Sequence, residues 1–332
     1  MNPAGPWRVG GAAVLASADE AQDLQPLGRL FAGFGTAPLD AAGKAWQVNL
    51  SRQAPRPPRA GADLRRGHLL SGEPYVARIA RRSRRFLVDG RLELALDLGR
   101  RSALCRLADD GASLLGGESG LLLIDAVVES QGQHMIHAAL LALPPALPAG
   151  GLVLLGDSGA GKTTTSLALG LGGFALGGDD AAILCAATRG LDAWALPRRL
   201  KVHREVAGLL PALAAHLPAD REESAHAAAD LPGVAVLQPA DRLLPLRAMA
   251  WLGPRSPGAH GYRRLSPIEM LERLARRDLH APRALAEAPV RRQLRLFATA
   301  ARTLVALELS LGRDLVGLPA WMQAVLAAEL QG

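Results

Sequence analysis

The residues best equipped for chemistry in this 332-residue chain are gathered in one short stretch. Gly156-Asp157-Ser158-Gly159-Ala160-Gly161-Lys162-Thr163 follows an apolar run at Gly151–Leu155 and precedes Thr163–Leu171, which reads as a helix. The stretch matches G-x-x-x-x-G-K-[ST] in full, and a strand before it with a helix after it is the setting in which that pattern has meaning. Glycine lets the backbone bend so that successive N–H groups converge on phosphate oxygens, and the start of a helix adds a favourable dipole. A lysine at position 162 can reach β- and γ-phosphates, and a hydroxyl at 163 can coordinate Mg²⁺. The expectation is ATP and Mg²⁺ held by Gly156 through Thr163 and the adjoining Thr164, with Thr163 on the metal.

A Mg²⁺-bound triphosphate needs a carboxylate beside the metal, and a kinase needs one that can accept the proton of the attacking hydroxyl. Asp179-Asp180 lies 17 residues past Lys162, one helix and one strand on. Transport ATPases carry their acid much further on and place LSGGQ before it, and GTPases carry N/T-K-x-D. Neither feature is present.

An adjacent acidic pair so soon after the loop resembles the HPr kinase/phosphorylase-like proteins, which share a nucleotide-binding core with phosphoenolpyruvate carboxykinases. Three segments carry the resemblance: Ile136-His137-Ala-Ala, Gly156 to Thr163, and Gly173-Phe-Ala-Leu-Gly-Gly-Asp-Asp180, with a fainter echo in Leu196-Pro-Arg-Arg-Leu-Lys201. It is good over about 132–205 and thin beyond. Carried over residue by residue, it implies Lys162 on phosphate, Asp180 as general base, Asp179 as the metal-side carboxylate, and His137 assisting the base, with His134 as the competing histidine. Arg198 and Lys201 would neutralise charge on the transferred phosphoryl group. Ala195-Leu-Pro-Arg-Arg-Leu and Gly253-Pro-Arg-Ser-Pro-Gly depart from the glycine-rich and P-x-R-P-G-R signatures of the bifunctional enzymes. Phosphorylase activity is therefore not expected.

The resemblance implies a kinase that phosphorylates a serine-type hydroxyl of a peptide or protein, a peptide natural-product precursor included. Alternatives are a kinase for free serine or another small hydroxyl compound, a nucleotide-switched ATPase or binding protein, and a carboxykinase-like lyase. The implied fold is an α/β P-loop core with a mixed sheet at 126–332, preceded by a smaller, partly β region at 1–125 suited to recognising substrate or partner. Homo-oligomers are common in such families.

Composition bounds the rest. Hydrophobic residues make up 49% and charged residues 21%, enough for a core and against general disorder. The net charge of +7 comes almost wholly from arginine, since Lys44, Lys162 and Lys201 are the lysines. With aromatic residues at 4% there are few platforms for stacking bases, which argues against nucleic acid as the partner. Cys105 and Cys185 form no metal or redox spacing and read as free thiols in a reducing compartment. No secretory signal and no apolar run of membrane-spanning length is visible, so a cytoplasmic protein without a membrane partner is expected.

Further signals place individual elements. Arg52–Gly61, rich in proline and arginine, reads as a loop whose arginines solubilise it or hold an acidic peptide. Tyr75–Arg85 carries arginine at 78, 81, 82, 84 and 85 and reads as a solvated face. Asp89-Gly90 signals a hairpin within Phe86–Cys105. Leu121–Glu129 suits a strand or a buried helix equally. Ser266-Pro-Ile-Glu269 is a capping box opening a helix.

Overall fold

The computed structural model describes residues 2–37, 45–59, 61, 64–69, 71–80, 82–218, 220–238, 242–278 and 287–331. Lys44 and Arg81 fall outside them. The chain is mixed α/β and divides into two compact units: residues 1–134 with 277–294, and residues 135–276 with 295–332.

The first unit is built on one eight-stranded sheet. Its strands are β1 (Asn2–Val9), β2 (Ala12–Ala18), β3 (Trp46–Ser51), β4 (Leu64–His68), β5 (Pro74–Ile79), β6 (Ser83–Val88), β7 (Leu92–Asp97) and β8 (Ser102–Leu107). They lie in the order β1-β2-β3-β8-β7-β6-β5-β4, parallel at β2–β3 and β3–β8 and antiparallel elsewhere. The hairpin signal holds. Asp89 (φ 48°) and Gly90 (φ 67°) join β6 to β7 in the left-handed conformation such a turn demands. Period-two alternation sends Phe86, Val88, Leu92, Leu94 and Cys105 to a buried inner face. The unit's helices are α1 (Gln25–Leu30), α2 (Ala112–Gly116) and α3 (Leu121–Ser130). The ambiguous apolar run is thus a helix, with every residue from Leu122 to Val128 buried.

The inner face also takes in charge. Arg84 is 3% exposed and pairs with Glu129 and, at 3.8 Å, with Asp125 of α3. On the opposite face Glu93 is wholly buried between Arg85 (3.1 Å) and Arg106 (2.9 Å) and also accepts the Arg56 main-chain N–H at 2.9 Å. The Pro/Arg-rich segment is therefore seated on the sheet by that backbone bond.

The second unit contains β9 (His134–Ile136), β10 (Ala139–Ala142), β11 (Gly151–Leu155), α4 (Lys162–Leu171), β12 (Ala175–Gly178), β13 (Ala182–Ala186), β14 (Leu191–Ala195), β15 (Leu200–His203), α5 (Val206–Leu209), β16 (Glu223–His226), β17 (Leu244–Leu252), β18 (Gly261–Arg264), α6 (Pro267–Asp278), the latter part of α7 (Glu287–Thr303), β19 (Val305–Ser310) and α8 (Leu318–Gln331). Its main sheet runs β12-β10-β11-β17-β14-β13-β9, with β19 pairing both β17 and β18. β11, β17 and β19 are mutually parallel, and β10 runs against both β11 and β12.

That arrangement fixes where loops emerge. The C-terminal ends of β11, β12 and β17 and the N-terminal start of β10 all lie at one end of the sheet. This is the end at which α/β sheets gather binding loops. The helix α4 leaves from that end and lies on a core of Leu154, Leu167, Phe174, Leu252 and Met322, all buried. At its far end a Cβ added to Gly172 would stand 2.0 Å from Cβ of Pro319, so α4 ends flush against the start of α8. The capping box at the start of α6 closes in both directions: Glu269 accepts the Ser266 N–H at 2.8 Å, and the Ser266 hydroxyl accepts the Glu269 N–H at 3.3 Å.

Candidate functional site

The site is built on the loop between β11 and α4. Gly159 (φ 78°) and Gly161 (φ 88°) both adopt the left-handed conformation, which only glycine takes without strain. Gly161 is also the residue before the first turn of α4, and its carbonyl accepts the Thr165 N–H at 2.9 Å. Gly156 is buried, and a Cβ there would press to 3.1 Å on Ala160 and Leu252. Asp157, Ser158 and Gly159 are exposed along the outer rim of the loop. Lys162 is 7% exposed and folds back, donating from Nζ to the carbonyls of Gly156 (2.8 Å) and Asp157 (3.1 Å). Thr163 and Thr164 follow on the first turn of α4, both partly exposed.

β12 delivers the acidic pair to the same place. The Thr163 hydroxyl donates to Asp179 Oδ2 at 2.6 Å. Asp180 faces a different set of groups. Its Oδ2 receives Arg198 Nη1 at 2.7 Å, and its Oδ1 lies 3.2 Å from His137 Nδ1. The Asp180 main-chain carbonyl is 2.9 Å from the same nitrogen, and a carbonyl can only accept, so Nδ1 carries a proton and donates. His137 reaches this point because it stands between β9 and β10, at the start of a strand that runs antiparallel to β12.

The two neighbouring carboxyl groups are driven apart electrostatically. Burial pushes Asp179 up, and this outweighs the Thr163 hydrogen bond. Burial pushes Asp180 up as well, but the His137 hydrogen bond and the charges of Arg198, His137 and Lys201 outweigh it, so its value falls below the ordinary one. Divergent environments for paired titratable groups are the pattern expected where acid and base roles are divided.

Of the other residues singled out in the sequence, Lys201 is exposed on β15 and acts on Asp180 through its charge. His134, the competing histidine, has its Nε2 2.5 Å from the Gln293 side-chain nitrogen. Cys105 and Cys185 are buried free thiols, both pushed up to about 12 chiefly by burial. Trp194 is wholly buried, and Trp251 lies under the Arg273 guanidinium, 5.6 Å from the ring centre.

Arg255 is the residue that motif reading left without a role. It stands in the loop after β17, and its Nη2 lies 3.1 Å from where a Cβ on Gly161 would be. The loop is pinned by Gly253 N–H to Leu309 O (2.9 Å) and Ser256 N–H to Leu311 O (3.0 Å). The signal available was the Gly253-Pro-Arg-Ser-Pro-Gly echo, but only the β11–β17 register, with Leu155 opposite Trp251, brings it beside the glycine loop.

No family model matches the chain, and neither does any curated protein sequence. Among solved structures it is similar to the Hpr(Ser) kinase/phosphatase from Coxiella burnetii, at 13% identity and a TM-score of 0.30, over 58% of this chain and 93% of that one.

Proposed function

We propose that the second unit binds ATP with Mg²⁺ at the β11–α4 loop and transfers the γ-phosphoryl group to a serine-type hydroxyl of a peptide or protein. The observation that carries this reading is the division of the acidic pair, with Asp179 on the Thr163 hydroxyl and Asp180 on His137 and Arg198. A hydroxyl and a carboxylate oxygen 2.6 Å apart form a hard-oxygen pair that suits Mg²⁺, which takes few protein ligands and completes its shell with water and phosphate. Thr163 and Asp179 would hold the metal, which would supply positive charge against the phosphates.

The chain's own groups supply the rest. Lys162 exchanges its bonds to the Gly156 and Asp157 carbonyls for phosphate oxygens. The backbone N–H groups at the start of α4 would meet the phosphates, and Arg255, beside Gly161, would add positive charge there. His137 and Arg198 fix the orientation of the Asp180 carboxylate. As the acceptor oxygen bonds to the γ-phosphorus, the bond to the β-phosphate oxygen breaks and ADP leaves. The hydroxyl proton passes to Asp180. A carboxylate with a lowered affinity for protons is adequate here, because phosphoryl transfer passes through a loose transition state in which positioning and charge outweigh base strength.

The test is incubation with γ-labelled ATP and Mg²⁺, offering serine-containing peptides and, separately, free serine. Label on a peptide serine with the parent protein, and none with Asp180→Asn, supports the reading. Label on free serine alone would move the substrate class to small hydroxyl compounds. Tight ATP binding with hydrolysis but no labelled acceptor would replace transfer with a nucleotide-switched ATPase.

A further inference from the structure

The loop that carries Arg255, residues 253–260 between β17 and β18, is fastened to the segment 309–314 where β19 ends. Gly253 N–H donates to Leu309 O at 2.9 Å, and Ser256 N–H donates to Leu311 O at 3.0 Å. Between these bonds the Ser310 hydroxyl donates to Pro254 O at 2.9 Å, one residue before Arg255. Further along, the packing is backbone on backbone, since a Cβ on Gly312 would stand 2.2 Å from Gly258 O.

A side chain makes the last tie. His260 Nδ1 lies 2.9 Å from the Gly312 nitrogen, and His260 Nε2 lies 2.7 Å from Asp314 O. A main-chain N–H can only donate and a carbonyl can only accept, so Nδ1 holds no proton and Nε2 carries one. The imidazole is therefore the neutral Nε2–H tautomer, with both nitrogens engaged by the 312–314 backbone. Its ring rests beside Trp321 of α8, with 5.1 Å between centres. Asp314 also accepts the Gly317 N–H at 2.8 Å, just ahead of α8. His260 is thus the point at which the Arg255 loop, the exit of β19 and the entry to α8 meet.

Arg255 depends on such support. Its Nη2 stands 3.1 Å from where a Cβ on Gly161 would be, and no carboxylate pairs with its guanidinium among the described residues. The main chain of the loop therefore sets where this charge lies. We propose that His260 is a positioning residue for the nucleotide: its bonds to Gly312 and Asp314 hold the 253–260 loop so that Arg255 faces the phosphates. This role rests on the reading of the β11–α4 loop as an ATP site. His260 would touch no phosphate, and its effect on binding passes through Arg255.

The test is a double-substitution cycle on the full chain, read as the Kd for ATP with Mg²⁺ by titration calorimetry. Arg255→Ala should raise Kd about tenfold, the loss of one charge-assisted contact. His260→Ala should raise it about fivefold, and His260→Phe by the same factor, because phenylalanine keeps a ring beside Trp321 but makes neither bond. His260→Asn returns an acceptor to the Gly312 N–H and should recover most of the loss. In the Arg255→Ala background, His260→Ala should change Kd by less than about twofold. Additive losses, full affinity in His260→Phe, or no recovery in His260→Asn would each overturn the proposal. Amide hydrogen exchange without nucleotide reads the loop directly: the Gly253 and Ser256 N–H groups should exchange at least about tenfold faster in His260→Phe. Unchanged exchange overturns the proposal whether or not ATP binds. Faster exchange together with no ATP binding by the parent protein overturns the ATP reading, and the role of His260 falls with it. If His260→Ala does not fold by circular dichroism, the cycle runs on His260→Phe, and additive losses there count against the proposal in the same way.

Discussion

Each unit brings carboxylates into contact with arginine, and the two do so to opposite ends. In the first unit Glu93 is fully buried and held by Arg85, Arg106 and a backbone N–H, all belonging to the same unit. In the second unit Asp179 and Asp180 are adjacent in sequence yet divided in environment. One is raised by burial, and the other is lowered by His137, Arg198 and Lys201 against the same burial. A carboxylate held by fixed arginines on neighbouring strands serves to hold those strands together. A pair with unequal partners can hold a metal at one member and take a proton at the other.

Substitutions separate the two roles. The largest expected effect is on catalysis: Asp180→Asn should lower phosphoryl transfer by about 10²–10⁴-fold, measured with labelled ATP, while ATP affinity stays within a few-fold. Equal losses in affinity and rate would mean that Asp180 serves structure as Glu93 does. Next, Glu93→Gln should destabilise the first unit by about 3–5 kcal/mol, because it strands two arginines beside a neutral group, and urea denaturation would read this directly. The ATP affinity of the second unit should not change.

A smaller effect, of opposite sign, is expected at Asp179. Its folded-state value lies above the ordinary one, so the fold favours its protonated form, and that contribution declines as pH rises through the carboxylate range. Asp179→Asn should therefore raise the melting temperature of the metal-free protein at pH 7 by about 2–4 °C, the shift produced by roughly 1 kcal/mol in units of this size. The same change should abolish any tightening of ATP binding by Mg²⁺. Asp180 behaves inversely: its contribution is present above the ordinary carboxylate range and lost as pH falls through its lowered folded value. The smallest effect belongs to an exposed pair. Arg276→Ala removes the partner of Glu272 on α6, where both side chains are more than half exposed, and should change stability by less than about 0.5 kcal/mol.

Legibility in the sequence follows the range of the interaction. The strand, loop and helix at 151–171, the Asp89-Gly90 turn and the Ser266 capping box are local devices, each fixed by residues within a few positions. All three stand in the fold as their residues dictate. Long-range pairing was not legible. Nothing in Leu92-Glu-Leu-Ala-Leu reveals that Glu93, at an outward position, is covered by a segment more than thirty residues earlier in the chain. Arg255 was hidden for the same reason, because a parallel pairing between β11 and β17 brings residues about a hundred positions apart to one loop. The run at 121–129 was undecidable from its own pattern, since an element buried all round has no polar face to reveal its period.

The flush meeting of Gly172 with Pro319 makes the last helix of the chain a doorstop for the loop at the other end of α4. Gln323 adds a second wedge by donating to the Gly172 carbonyl at 3.3 Å. A single methyl group at position 172 would have to lever the two helices apart, and α4 would carry Lys162 and Thr163 with it. Residue 172 thus behaves as a calibration point for the glycine-loop turn ten positions away, and shortening the chain ahead of Leu318 would leave that turn without its reference.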